Sequence, residues 1–308
     1  MSGPFVHLPV MLVEVVSLLA PVPEGIFVDA TLGGGGHSEA VLDAHPGLRL
    51  VGYDRDPEAV AAATARLARF GPRIKVRRDR YDALATLPPP GPVTALLFDL
   101  GVSSPQLDRP ERGFSYRHDG PLDMRMDPSV SFTAADVVNG YDEAHLADVL
   151  RSHADERFAR QIAAAIVAHR PFERTTQLAA VVRDAVPAAA RRRGGHPATR
   201  TFQALRIEVN DELGALDRAL RAGIELLAPG GRVVVLTYHS GEDRLVKQIL
   251  REAERGTAER LDPALPPPPG IHPLVRLLGR GGRTPAPTEV SANRRAASAR
   301  LRAAERLD

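Results

Sequence analysis

Three aspartates recur at matching places in the first hundred residues. Asp29, Asp54 and Asp99 each close a short apolar run, and Asp29 is followed by Thr31 and four consecutive glycines, Gly33 to Gly36. Glycine has no Cβ, so the backbone can approach a ligand closely. His37 and Ser38 then open a segment with helical spacing (Ala40, Val41, Leu42), and a new helix offers unpaired N–H groups. Strand, glycine turn and helix form a nucleotide-binding layout.

Two nucleotide chemistries compete for such a turn. A dinucleotide fingerprint reads G-x-G-x-x-G/A. Counted from Gly33 the last place holds Ser38, and from Gly34 it holds Glu39, so neither register completes. Counted from the acid, Asp29, Thr31, Gly33 and Gly35 stand two apart. That spacing is similar to the acidic-x-Gly-x-Gly-x-Gly loop of S-adenosylmethionine (AdoMet) methyltransferases, with Thr31 at the first glycine. Asp54 follows about twenty residues later, where a carboxylate accepts both ribose hydroxyls of NAD or AdoMet alike. Tyr81 comes after the third strand, where it could stack on an adenine ring.

The elements that must position these residues follow from periodicity. A helix over 11–19 is ended by Pro21 and Pro23. Strands are expected at 26–29, 48–53, 74–77 and 94–98, with helices from His37 to Ala44 and from Pro57 to Phe70. Alternating strands and helices imply an α/β fold, a Rossmann-like doubly wound parallel sheet whose ligand sits beyond the strands' carboxyl ends. The rhythm stops after Gly101. Thr133–Asp136 reads as a capping box, Asp142 and Asp155 as N-caps, and Thr175 or Thr176 as a further helix start. One long helix is expected from Pro197 to Leu227, stopped by Pro229-Gly230-Gly231, and then a strand over 232–238 that delivers His239 and Ser240 to a last helix. The expected division is therefore 1–106 with 205–260 as the AdoMet-binding domain, 107–204 as an inserted helical domain, and 261–308 as a Pro/Gly-rich, basic tail.

Composition narrows the function classes. A chain of 308 residues with 44% apolar and 25% charged residues is ordinary for a globular protein. It has no cysteine, which excludes disulfides, thiolate metal sites and thiol catalysis. No metal is required by any motif. The apolar run from Leu8 to Ala20 is broken by Glu14, is too short to span a bilayer and lacks a basic flank, so a cytoplasmic protein without a membrane partner is expected. Net charge is +2. Only Lys75 and Lys247 of the 40 basic residues are lysines, a bias that suits phosphate contacts but that codon usage also produces. Arg191-Arg192-Arg193, with Arg200 and Arg206, makes the densest cationic run, able to neutralise phosphates.

After the fourth strand comes Asp99-Leu-Gly-Val-Ser103-Ser104-Pro105-Gln106. Methyltransferases that act on the exocyclic amines of bases carry a short polar-Pro segment there. Such an amine is a weak nucleophile because its lone pair is delocalised, and acceptors on its protons help it rehybridise. The ordered set then becomes specific. Asp29-Ala-Thr-Leu-Gly-Gly-Gly-Gly-His37-Ser38, Asp54-Arg-Asp-Pro57, Asp99 to Asp108, Glu111-Arg-Gly-Phe-Ser115, Asp119 to Asp127, His196 to Arg206, and Tyr238-His239-Ser-Gly-Glu242-Asp243-Arg244 together resemble the RsmH/MraW family. These bacterial enzymes methylate N4 of a cytosine in small-subunit ribosomal RNA. The chain departs from the family pattern at Gly34, where many members carry a larger residue, and at Gly241, where Leu is usual.

The resemblance implies AdoMet as cofactor, held by Gly35, Gly36, His37, Asp54, Tyr81, Asp99 and Gln106. It implies 16S rRNA or the small ribosomal subunit as partner, and a substrate-recognition role for the insertion. A homodimer is a further expectation. For catalysis, Asp99 and Ser103 are the first choices to orient the amine, with His239 as a weaker one that a structural role would also explain. Transfer is expected to be direct and in line, with positioning worth about 7–11 kcal/mol and any single acid–base group about 10²–10⁴-fold. Two rivals stand beside it: an NAD oxidoreductase and a non-catalytic RNA-binding assembly factor on the same fold.

Overall fold

A computed structural model describes residues 9–86, 89–102, 104–191, 196–256 and 272–308. The chain divides into two compact units, residues 1–101 with 213–308, and residues 102–212. In chain order the first unit begins with α1 (Leu12–Leu19), β1 (Gly25–Asp29), α2 (Gly36–Ala44), β2 (Leu48–Asp54), α3 (Pro57–Leu67), β3 (Ile74–Arg78) and β4 (Val93–Asp99). The second unit holds α4 (Ser104–Asp108), α5 (Ala134–Gly140), α6 (Glu143–Ala154), α7 (Ala159–Ala168), α8 (Thr175–Ala185), α9 (Ala188–Arg191) and α10 (Ala198–Asn210). The chain returns through α11 (Glu212–Leu226), β5 (Leu227–Thr237), α12 (Ser240–Arg255), β6 (Val275–Leu277), α13 (Pro287–Ala292) and β7 (Arg300–Arg306).

The first unit is one seven-stranded sheet of order β3-β2-β1-β4-β5-β7-β6. Its first five strands run parallel, and β7 and β6 are antiparallel additions. Period-two alternation sends side chains to both faces. Ile26, Val28, Leu96, Phe98, Val233 and Val235 pack under α11 and α12 through Leu216, Leu220, Val246 and Ile249. Phe27, Ala95, Leu97, Val234 and Leu236 pack under α1, α2 and α3 through Val15, Leu19, Leu42 and Leu67. Both faces are therefore covered, which is why these strands read as unbroken apolar runs. The strand order reverses between β1 and β4. That switch point lies where the glycine turn leaves β1 and Asp99 ends β4, the place where open α/β sheets take ligands.

Three expectations are corrected by the backbone. Residues 272–308 are not a tail. Arg300–Arg306 pairs with β5 along its length, and Leu301 and Ala304 are buried. Asp155 is not an N-cap: at φ 49° it closes the C-terminus of α6, and α7 begins at Ala159. The long helix is two, because Asp211 at φ 48° ends α10 by accepting a left-handed conformation. The apolar stripe runs through that break, so periodicity alone does not show it. Ala198, Phe202 and Leu205 of α10 pack in the core of the second unit, which moves the return into the sheet beyond Asp211. Other caps are as expected. Thr133 and Asp136 form a reciprocal capping box, and Asp142 caps α6. No helix among the described residues is long and apolar enough to cross a membrane.

Candidate AdoMet and methyl-transfer site

The glycine turn is built from within. Asp29 is almost wholly buried and accepts from Thr31 N (3.1 Å) and from Ser38 Oγ (2.6 Å), so it ties the end of β1 to the first turn of α2. Burial pushes its carboxyl up to about 6, against the hydrogen bonds that pull it down. Unlike the other two strand-end aspartates, this one is spent on framing the turn. The glycines also have internal reasons. Gly33 and Gly35 adopt φ of 52° and 76°, a region costly for any side chain. A Cβ on Gly36 would stand 2.6 Å from Pro9 Cγ, so that glycine lets the N-terminal segment pack on α2.

Asp54, at the end of β2, is the acid with capacity left over. Its Oδ2 accepts from Gly33 N at 2.9 Å and its Oδ1 from Asp56 N at 2.8 Å. Burial still pushes its carboxyl up to about 6, since two backbone donors do not repay the loss of water. A carboxylate oxygen has two lone-pair sites, so one on each oxygen remains for an incoming donor. Asp56 caps α3 by accepting from Glu58 N, with Pro57 at the first helical position. Tyr81 opens a short 3₁₀ turn after β3, and its ring meets Phe98 edge-on at 5.9 Å.

Asp99 is gripped from several sides. Its own N–H donates to Thr31 Oγ1 at 2.6 Å, which gives the residue at the first glycine position a purpose. Tyr238 Oη donates to Asp99 Oδ1 at 2.7 Å, and His37 Nδ1 stands 3.4 Å from Asp99 Oδ2. The other ring nitrogen of His37, Nε2, donates to the carbonyl of Val10 at 2.9 Å. One ring nitrogen is thus spent on the N-terminal segment, and the other faces Asp99, at the residue where the resemblance implied a cofactor contact. Tyr238 was part of a motif but carried no role in the sequence reading. Only its distance to Asp99, across 139 residues of chain, reveals one.

The remaining candidates fall elsewhere. His239 is the N-cap of α12: its Nδ1 accepts from Glu242 N, and Glu242 in return accepts from Tyr238 N at 2.7 Å. Its Nε2 lies 3.1 Å from Glu242 Oε1 but is buried without a hydrogen bond, so the helix start uses Nδ1. Gln106 belongs to α4 of the second unit and is buried. Ser103 and Arg192 to Gly195 lie outside the described residues. Arg206 does not join a phosphate-binding run, because it pairs in bidentate fashion with Glu212 at 2.8 and 2.9 Å and both side chains are largely buried. Arg200 donates to the carbonyl of Asp155, and Arg191 stands 3.7 Å from Asp184. The mixed-charge stretch 119–127 is tied internally by Asp123–Arg125 and by Asn210, which bonds Met126 N and Met124 O.

Comparison with known proteins adds to the geometry. The model of the MraW methylase family matches residues 4–307. A protein of Thermobifida fusca named ribosomal RNA small subunit methyltransferase H is 55% identical, over 97% of this chain and 93% of its own. One of the same name from Nocardia farcinica is 51% identical, over 98% of this chain and 96% of its own. Among solved structures, an rRNA methylase from Streptococcus thermophilus aligns with a TM-score of 0.43 at 12% identity, covering 95% of this chain and 94% of that one. A Streptococcus mutans protein crystallised with S-adenosylhomocysteine (SAH) aligns with a TM-score of 0.46 at 13% identity, covering 98% and 100%.

Proposed function

This chain belongs to the MraW methylase family, and from that premise we propose that it transfers a methyl group from AdoMet to N4 of a cytosine in 16S rRNA of the small ribosomal subunit. The observation that carries the reading is the pair of strand-end acids on either side of β1: Asp54 with one acceptor site per oxygen unspent, and an Asp99 held by Tyr238. The fit to AdoMet is electrostatic. Its ribose hydroxyls are donors, and the site answers with Asp54, a buried carboxylate that two backbone donors leave short of partners. Gly33 holds one oxygen of Asp54 through its N–H, so turn and acid form a single receptor.

Bound AdoMet supplies a methyl already activated on sulfur. The residues of the chain then have three tasks. Asp54 binds the sugar. Asp99 accepts from the exocyclic amine, which localises the nitrogen lone pair for attack. After methylation the amine is cationic, and Asp99 or water takes its surplus proton. Holding the amine at attack distance is worth about 7–11 kcal/mol, more than any single proton transfer contributes. The lack of cysteine excludes a thiolate adduct at ring carbon, so transfer is direct. The cytosine must be unstacked to reach the site, and we assign its recognition to the helical unit of residues 102–212. A ribosomal substrate puts this work in the cytoplasm.

Thermal shift with AdoMet or SAH against NAD separates this reading from a dehydrogenase. Labelled methyl transfer to small-subunit RNA, with Asp99→Ala as control, separates it from a non-catalytic assembly factor. Wild-type protein that binds RNA and transfers no label would refute it.

A further inference from the structure

The proposed reaction asks Asp99 to point one way, yet an aspartate at a strand end has free rotamers. One hydrogen bond removes that freedom, and a buried ring stands on the other side. Tyr238, just past the end of β5, reaches Asp99 Oδ1 at 2.7 Å, and His37 in the first turn of α2 stands 3.4 Å from Oδ2. Each partner is itself fixed. His37 is buried and its far nitrogen donates to Val10 O. The ring of Tyr238 lies against Gly101, where a Cβ would come within 3.2 Å of it, and Gly101 takes φ 103°. Tyr238 N is bonded to the buried Glu242. Burial, with Asp99 beside it, pushes the phenol far above its ordinary value, so Tyr238 stays a donor at every working pH.

We propose that Tyr238 is a positioning residue: its phenol pins one oxygen of Asp99, with the His37 ring walling the other side, so that the carboxylate presents a fixed acceptor to an N–H of the substrate amine. The inference rests on the methyl-transfer reading for its consequence but not for its geometry. A carboxylate that spends one lone pair on the phenol keeps acceptor sites on both oxygens for an incoming N–H. Tyr238 is the informative partner, because removing its hydroxyl leaves the ring packing on Gly101 intact.

Tyr238→Phe is the test. It should lower kcat about tenfold or more while KM for AdoMet changes less than twofold, with a melting temperature close to wild type. In its crystal structure Asp99 should turn away or occupy two orientations. In a double-mutant cycle, Tyr238→Phe in an Asp99→Asn background should cost nothing further, since both act through one carboxylate. An unchanged kcat in Tyr238→Phe, an Asp99 fixed in one orientation without the phenol, or losses that multiply in the cycle would each overturn the positioning role. Wild-type protein without transferase activity would defeat the proposed function instead, and the crystal structure of Tyr238→Phe would still decide whether the phenol pins Asp99.

Discussion

Asp54→Asn tests the donor site most sharply, because structure and titration make opposite demands on it. In the free protein Asp54 ionises only around pH 6. Relative to an unfolded carboxyl near 3.8, that raised value means the folded chain holds the proton more tightly. This group's contribution to stability is therefore present below pH ~4 and falls away as pH rises through about 6, by about 3 kcal/mol in all. Ribose hydroxyls need the ionised form as acceptor. SAH affinity should then rise about tenfold from pH 5 to pH 7.5 and level off, because only about a tenth of Asp54 is ionised at the lower pH. Asparagine removes the titration. It also turns an amide NH₂ toward Gly33 N or Asp56 N, losing one backbone bond at a cost of ~1–3 kcal/mol, which offsets the charge penalty it relieves. The free variant should thus melt near wild type at pH 7.5. It should bind SAH ~30–100-fold more weakly, as two charge-assisted bonds become neutral ones, and that affinity should not change between pH 5 and 7.5. Isothermal calorimetry across this range is the assay. Wild-type affinity constant within a factor of two from pH 5 to 7.5, or an asparagine variant that binds normally, would refute the reasoning.

Further expectations concern the frame. Gly36→Ala should destabilise the protein by ~1–3 kcal/mol in denaturant melts, because its methyl meets Pro9 at 2.6 Å. Arg206→Ala should cost ~1–3 kcal/mol by removing the bidentate pair with the largely buried Glu212, while leaving the salt slope of RNA binding unchanged, as expected of an arginine committed to a carboxylate. Removing residues 299–308 should abolish the cooperative melting transition, since it strips β7 from β5.

Much of the sheet was legible because apolar runs that end in aspartate mark buried parallel strands that deliver a polar residue to one edge. The glycine turn and Asp54 followed from spacing alone. What escaped was decided by contacts far apart in sequence. Tyr238 looks like an ordinary strand-end aromatic until β5 lies beside β4 and the phenol meets Asp99. The bond from His37 Nε2 to Val10 and the approach of its Nδ1 to Asp99 are likewise invisible in the chain order. Strand β7 hides because Arg300, Arg302 and Arg306 stand among its apolar positions and read as a basic tail; Arg302 is in fact paired in bidentate fashion with Asp243. Asp155 and Asp211 look like N-caps by residue type, but each takes the left-handed conformation that closes the helix before it. Short polar side chains serve either end of a helix, so residue type alone cannot choose between them.

The central claim is methylation of a base amine from AdoMet. The direct measurement is nucleoside mass spectrometry of small-subunit RNA after incubation with the protein and methyl-labelled AdoMet. The account predicts labelled N4-methylcytidine that is absent with Asp99→Ala. Label on carbon 5, on a ribose oxygen, or nowhere in the RNA would contradict it.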